Sequence, residues 1–174
     1  MADGPFSRRR LINRISALES SLAAGTVAGE MRFGKQISRA TAALPATTTS
    51  ALFTIAGGRV AVVAIVGEVT TVIQTQADAT KLQFDPTDAG ATQDLCATLD
   101  ITADAVGTMY SITGTPATAM QDALNFLSSN KVLAEPLILK PGQILLNCAA
   151  TNTGSVKWDL WYIPLDSGAT VVAA

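Results

Sequence analysis

The feature that most constrains the fold is a series of short apolar runs that begins at Ala51 and continues to the end of the chain. Runs of Val, Ile, Leu and Thr alternate with turn-forming clusters, such as 85–90 and 151–154. β-branched residues favour strands, and about seven to nine short strands with such turns are typical of a β-sandwich or a jelly-roll-like barrel. We therefore expect a mainly β fold whose body spans residues 51–174.

The apolar runs and the turn clusters between them set the expected strand boundaries. The predicted strands are 52–55, 59–74, 81–84, 94–101, 108–113, 132–139, 143–149 and 155–163. Gly67 is expected to mark a bulge or bend in the longest run. Pro136 and Pro141 bound the run 132–139 and predict an edge strand there. The stretch 117–130 fits either a short helix or a long loop.

The last predicted strand has two alternating sets of side chains, which must point to opposite faces of a sheet. The wholly apolar set is expected to face the core; it comprises Val156, Trp158, Leu160 and Tyr162. The other set mixes charged and apolar residues and is expected to face a rim, a neighbouring copy or a second layer; it comprises Lys157, Asp159, Trp161 and Ile163.

Residues 1–50 have a different pattern and are predicted to be a basic N-terminal helix followed by an extended arm. Apolar residues at helical spacing, with Ser7 as N-cap and Gly25 as stop, predict a helix over 8–24; this stripe comprises Leu11, Ile15, Leu18 and Leu22. So short a stripe needs a partner: the same chain's body, a sister copy or another protein. Residues 25–50 have no helical period and are expected to be an extended linker.

The charges are divided unevenly between the arm and the body. Residues 1–39 carry a net charge of +4 and residues 40–174 a net charge of −6. A basic arm on an acidic body is typical of a chain that docks onto an acidic partner; a few arginines that merely keep a helix soluble are the simpler alternative. The predicted partner-binding residues are Arg8, Arg9, Arg10, Leu11, Arg14, Ile15, Leu18, Leu22, Arg32, Lys35 and Arg39.

The residues that most often perform catalysis or bind metals are scarce. The chain has no histidine and two cysteines, which excludes His-based acid–base catalysis, Ser-His nucleophiles and four-cysteine zinc sites. Close carboxylates, such as Asp85 with Asp88 and Asp100 with Asp104, more often satisfy turn backbone than bind metal. No phosphate-binding loop is present. We therefore predict a protein that is not an enzyme and has no cofactor and no metal.

Both cysteines lie in apolar surroundings with no neighbouring cation. Cys96 and Cys148 are thus predicted to be inert core thiols, with a disulfide between them in a mature assembly as the alternative. Apart from Phe6, no aromatic residue lies beside the arginines at 8–10 and 14, and the acidic body would repel a polyanion, so nucleic-acid binding is not favoured. No apolar run approaches the length of a membrane span, and we expect no membrane partner and synthesis in the cytoplasm.

Several stretches of the body resemble virion structural proteins of tailed bacteriophages. These stretches are 55–60 (Ile-Ala-Gly-Gly-Arg-Val), 65–71 (Ile-Val-Gly-Glu-Val-Thr-Thr), 95–101 (Leu-Cys-Ala-Thr-Leu-Asp-Ile), 112–115 (Ile-Thr-Gly-Thr) and 150–158 (Ala-Thr-Asn-Thr-Gly-Ser-Val-Lys-Trp). The resemblance covers roughly residues 52–172 and does not extend to residues 1–50. It implies a structural role and supplies no catalytic residues.

Within this group, a small β body with an arm is similar to capsid decoration, or cement, proteins. The resemblance implies a protein on the capsid surface of the virion that binds the major capsid protein and sister copies, often as a homotrimer. Three alternatives remain open: a tail, neck or fibre-base component, a receptor- or glycan-binding surface module, and a lytic enzyme. No pair of carboxylates in a cleft can be nominated for the last of these.

Overall fold

The computed structural model describes residues 34–123 and 133–174, and every regular element in these residues is a β-strand. The twelve strands are β1 (Lys35–Ala43), β2 (Thr49–Ala56), β3 (Val60–Thr71), β4 (Ala79–Pro86), β5 (Gln93–Asp94), β6 (Leu99–Asp100), β7 (Met109–Ser111), β8 (Gln121–Ala123), β9 (Leu137–Leu139), β10 (Gly142–Cys148), β11 (Ser155–Pro164) and β12 (Thr170–Ala173). The prediction of a mainly β fold is confirmed. The predicted helix at 8–24 lies outside the described residues.

The strands form two sheets of six strands each. The first sheet has the order β1-β11-β3-β7-β8, with β9 also pairing with β3. The second sheet has the order β12-β2-β10-β4-β5, with β6 also pairing with β4. All pairs of named strands are antiparallel. Most strands that follow each other along the chain, such as β2 and β3 or β10 and β11, lie in different sheets.

The two sheets contribute to one hydrophobic core. The first sheet supplies Val62 and Ile65 of β3, and the second supplies Phe53 of β2 and Leu82 of β4, all nearly inaccessible to solvent. The alternation predicted for the last strand is confirmed, because its apolar set is buried; this set is Val156, Trp158, Leu160 and Tyr162.

Trp158 fills the middle of the core beside a glycine. Its ring lies against Gly67 of β3, where an added Cβ would stand 2.8–2.9 Å from three atoms of the indole. Tyr110 is a stacked neighbour of Trp158, with ring centroids 6.3 Å apart. Gly67 therefore provides space for the indole. Of the bulge or bend expected at Gly67, the bulge is absent, because Gly67 pairs in regular register with Trp158. The register shifts lie between Ser155 and Val156 and between Trp161 and Tyr162, where β3 has one extra residue each time.

Residues 35–43 form a strand, where the sequence pattern predicted a linker. β1 pairs with β11 from Lys35↔Tyr162 to Ala43↔Ser155. Only Ile37 of β1 is an apolar side chain packed against the core, so the strand depends on backbone pairing rather than on its own apolar pattern. The predicted boundary between residues 50 and 51 falls inside β2 (Thr49–Ala56).

A buried carboxylate closes one end of the second sheet. Asp78 is inaccessible to solvent, and its Oδ1 accepts hydrogen bonds from the backbone N–H groups of Ala149 and Ala150 at 2.9 and 3.0 Å. Its Oδ2 accepts a longer bond, 3.4 Å, from Nδ2 of Asn152. A carboxylate that accepts several such bonds holds the 149–152 turn against the start of β4.

Replacing Trp158 by Ala is expected to lower the free energy of unfolding by about 3–5 kcal/mol, because it leaves a cavity in the core. Urea unfolding monitored by circular dichroism measures this loss. Trp161, on the same strand, is half-buried and provides the matched control. Trp161→Ala is expected to cost clearly less, and equal losses for the two variants would contradict the assignment of faces.

Replacing Asp78 by Ala is expected to lower the free energy of unfolding by at least about 2 kcal/mol, because the N–H groups of Ala149 and Ala150 lose an acceptor that is inaccessible to solvent. Asp78→Asn keeps one acceptor oxygen and is expected to lose less. Hydrogen exchange of the Ala149 and Ala150 amides provides a local measurement. Unchanged protection of these amides in Asp78→Ala would show that the carboxylate does not hold the turn.

Candidate functional site

The structure describes two of the predicted partner-binding residues, Lys35 and Arg39, both on β1. Lys35 is exposed, and Arg39 is half-buried with its Nε donating to the backbone oxygen of Ala174 at 3.3 Å. Arg39 thus ties the edge of the first sheet to the residue that follows β12. The other predicted residues lie outside the described part of the chain: Arg8, Arg9, Arg10, Leu11, Arg14, Ile15, Leu18, Leu22 and Arg32.

The outer face of the first sheet carries a group of apolar side chains at the end where β3 begins. Ile163 of β11 pairs with Ala61 of β3, and Ala61 pairs with Ile138 of β9, so the three share one face. Trp161 and its partner Ala64 form the next row on that face. Ile138 is 67% exposed and Ile163 is 40% exposed. We call these five residues the outer patch.

The same face becomes charged farther along β11. Lys157 forms an ion pair with Glu68, with Nζ 2.7 Å from Oε2, and this pairing raises the pKa of Lys157. Asp159 accepts hydrogen bonds from the side chains of Gln36 and Ser38. Among the described residues Asp159 forms no ion pair. The face therefore runs from an apolar end to a charged end, where Asp159 lies beyond ion-pair distance of any described cation.

A groove of about 600 Å³ lies next to the outer patch, between the two sheets. Phe84, Leu95 and Leu139, which line it, are buried apolar side chains. Ile138 lines the groove as well and belongs to the outer patch. The remaining lining residues are Arg59, Pro86, Gly90, Ala91, Gln93, Asp94, Pro116 and Lys140. The volume falls in the range of sites that take a small ligand or a few side chains of a partner.

The charges beside the groove are already neutralised by partners in the same chain. Arg59 makes two side-chain hydrogen bonds to Asp166, at 2.8 and 3.0 Å. Lys140 pairs with Asp88, and Lys81 pairs with Asp94. Hydrogen bonds from these lysines hold the pKa values of Asp88 and Asp94 below their usual range. The groove thus offers an apolar interior with paired charges at its rim, which suits apolar side chains better than a charged ligand.

The turn that carries Arg59 depends on two glycines. Gly57 has a φ of 74°, and an added Cβ would stand 2.2 Å from the backbone oxygen of Gly168. At Gly58 an added Cβ would stand 2.6 Å from Cβ of Asp166. Only glycine allows the 166–169 loop to approach so closely. This approach places Asp166 where it can bind Arg59.

The two cysteines behave as the apolar surroundings predicted. Both are buried and free. The Cys96 sulfur accepts a hydrogen bond from the backbone N–H of Leu82, and the Cys148 sulfur accepts one from the Thr80 hydroxyl. Burial raises the pKa of both thiols, that of Cys148 to about 12. The structure contains no disulfide between them, and neither thiol is a candidate nucleophile.

The carboxylates considered for metal binding are occupied by local donors. Asp85 accepts from the Thr92 hydroxyl at 2.8 Å, and Asp100 from the backbone N–H of Asp78 at 2.9 Å. Asp104 accepts from the Tyr110 hydroxyl at 2.6 Å, while burial raises its pKa. In residues 34–123 and 133–174 no group of three or more acidic, cysteine or histidine side chains is placed to hold a metal ion.

No family model, curated protein or solved structure matches the chain. Within the described residues there is no helix with the length and apolarity needed to cross a membrane. The outer patch and the groove together form the candidate site, since Ile138 belongs to both. The sequence pattern had not indicated the groove. For the outer patch the signal was the mixed set that contains Trp161 and Ile163, which was expected to face a rim, a neighbouring copy or a second layer.

The pairing of Asp166 with Arg59 predicts a measurable pKa. Hydrogen bonds from Arg59 lower the pKa of Asp166 from 3.8 to about 2. Because the folded-state pKa is lowered, the pairing stabilises the fold above the ordinary carboxyl pKa and is lost as the pH falls through about 2. An NMR titration of the Asp166 carboxyl carbon should give a midpoint near that value. In Arg59→Ala the midpoint should return toward 3.8, and a midpoint that did not move would contradict the assigned cause.

Proposed function

We propose that the chain is a non-enzymatic structural protein of a bacteriophage virion and that its body is a β-sandwich of jelly-roll type. The strand orders β1-β11-β3-β7 and β2-β10-β4-β5 support this proposal. In a jelly roll the first strand lies beside the eighth in one sheet and the second beside the seventh in the other. In chain order, the first and eighth of the eight strands named above are β1 and β11, and the second and seventh are β2 and β10, so both pairs follow the jelly-roll order. Viral capsid domains are among the proteins built this way.

The stretches that resemble phage virion proteins coincide with positions of close packing. The 55–60 stretch holds the two glycines against which the 166–169 loop lies. Gly114 in the 112–115 stretch has a φ of 91°, and an added Cβ would stand 2.6 Å from the backbone oxygen of Glu135. Asn152 in the 150–158 stretch bonds to Asp78. The resemblance therefore concerns the residues that shape the body, which is consistent with a shared fold.

Among virion proteins, we assign the chain to the capsid decoration, or cement, class. Its partners are then the major capsid protein and sister copies, as a homotrimer, on the outer surface of the shell. The observation that carries the assignment is the apolar groove with its paired rim charges. Such a groove suits apolar side chains of a capsomer loop, since burying them removes apolar surface from water and leaves no charge unpaired.

The N-terminal residues add a second contact to this assignment. Residues 1–39 carry a net charge of +4, which suits an acidic surface of the shell or of a sister copy. Two linked contacts bind more tightly than either alone, because the second forms at a high effective concentration. A shell built from many identical subunits repeats this gain at each site.

The proposal predicts that particles made without the protein assemble but release DNA at a lower temperature. A protein that binds the assembled shell and not its free subunits stabilises the shell by mass action, about 2.7 kcal/mol per site at a hundredfold excess over Kd. Heating particles with and without the protein, with a DNA-binding dye, measures the release. Particles that keep their heat stability but have no tails would contradict the assignment and favour a tail component.

A matched pair of variants tests the groove. Ala91 and Ala89 are both exposed in the same loop, but Ala91 lines the groove and Ala89 does not. Ala91→Glu places a carboxylate in the apolar groove and is expected to reduce binding to particles that lack the protein by at least about tenfold, the effect of about 1.4 kcal/mol. Ala89→Glu adds the same charge and should bind normally. Equal binding by both variants would remove the groove from the interface.

A further inference from the structure

We infer that the outer patch is the docking surface for residues 8–24 of the same chain. The inference concerns how one copy of the protein covers its own first sheet, and its test does not depend on the virion assignment. One carboxylate, Asp159, pairs with one arginine, so the other arginines of the segment remain for the acidic partner proposed above. It rests on three observations: the apolar character of the patch, the place where the chain enters β1, and the charge left on the same face.

The outer patch exposes large apolar side chains in adjacent rows of one sheet face. Ile138 and Ile163 flank Ala61, and Trp161 with Ala64 forms the next row. Ile138 and Ile163 are exposed, Trp161 is half-buried, and large apolar side chains grouped in this way mark an interaction surface. The edge strand next to the patch, β1, carries Lys35 and Arg39, and charges on an edge oppose pairing with a further strand. A covering element is therefore expected to lie across the face.

The chain enters the first sheet beside this patch. Gly34 precedes β1, and an added Cβ there would stand 3.0 Å from Cγ1 of Ile163 and 2.2 Å from the backbone oxygen of Tyr162. Its φ of 79° turns the chain in a way that side-chain-bearing residues rarely adopt. The residues that precede Gly34 thus join the body next to Ile163, at the apolar end of the face.

The segment before Gly34 has the length required to cover the patch. The distance across the sheet from β1, over β11 and β3, to β9 is three strand spacings, about 14 Å. Residues 25–33, fully extended, reach about 30 Å, and a helix over 8–24 is about 25 Å long. The segment therefore reaches the whole patch in its own copy. Tethering gives it a millimolar effective concentration there, which favours the same chain over a second one.

The chemistry of the segment complements that of the face. The apolar stripe of Leu11, Ile15, Leu18 and Leu22 needs an apolar surface, and the outer patch provides one. Asp159, two residues beyond Trp161 on the same face, forms no ion pair within the described residues. The arginines at positions 8–10 and 14 supply the opposite charge.

An engineered disulfide tests the inference in the full-length protein. Leu18→Cys combined with Ile138→Cys should cross-link under mild oxidation within one chain. The native thiols are buried and do not compete. The matched control combines Leu18→Cys with Val72→Cys, because Val72 is 55% exposed but follows the far end of β3. The control pair should not cross-link.

The products distinguish the possible occupants. A cross-link within the monomer, found by mass spectrometry after proteolysis, is the expected result. A cross-linked dimer would overturn the inference and assign the patch to a second copy. Absence of cross-linking at Ile138, or equal cross-linking at Val72, would also overturn it.

Tryptophan fluorescence provides a second readout in the same protein. Trp158 is buried in the core, so an added quencher reports chiefly on Trp161 in the outer patch. Leu18→Asp should displace the segment, increase the acrylamide quenching constant and shift the emission to longer wavelength. Ser20→Asp adds the same charge away from the apolar stripe and should leave both values unchanged. Equal quenching in the two variants would contradict the inference.

Discussion

The contact between Trp158 and Gly67 fixes the relation of β11 to β3, and much of the structure depends on it. The indole lies where any Cβ on residue 67 would collide with it, so these two residues must stand opposite each other. Because side chains alternate along a strand, this register fixes the face to which each of the remaining side chains of β11 points. Tyr162 and Leu160 then point into the core. Ile163 and Trp161 must point outward, and the outer patch is a direct consequence of packing the core.

Polar interactions restrain the two ends of the fold where apolar contacts cannot. Asp78 holds the 149–152 turn by accepting backbone hydrogen bonds out of solvent. At the groove end, Asp166 holds the turn that contains Arg59. The acceptor of the first restraint is inaccessible to solvent, so its removal is expected to cost stability. The second is exposed, so its value lies mainly in orienting Arg59 and the adjacent loop rather than in free energy.

The sequence predicted the parts of the fold that depend on local pattern. The alternation along 155–163, the burial of Trp158 and the state of both cysteines follow from neighbouring residues, and the structure confirms them. β1 was missed because its strand character comes from pairing with β11, far away in sequence. The groove was missed for the same reason: Phe84, Leu95 and Leu139 converge only after both sheets have formed. The role of Gly67 required knowing which residue stands opposite it.

Ile138 belongs to both the groove and the outer patch, and this shared position links the two proposals. β9 is a short strand of three residues, with Ile138 on the outer face of the first sheet and Leu139 lining the groove. If residues 8–24 cover the outer patch, they lie against Ile138 and border the groove. A partner that enters the groove then meets a rim made partly by the basic segment of the same chain. The arm and the body would form one composite surface, and removing the arm would change the groove contact as well as the arm's own contact.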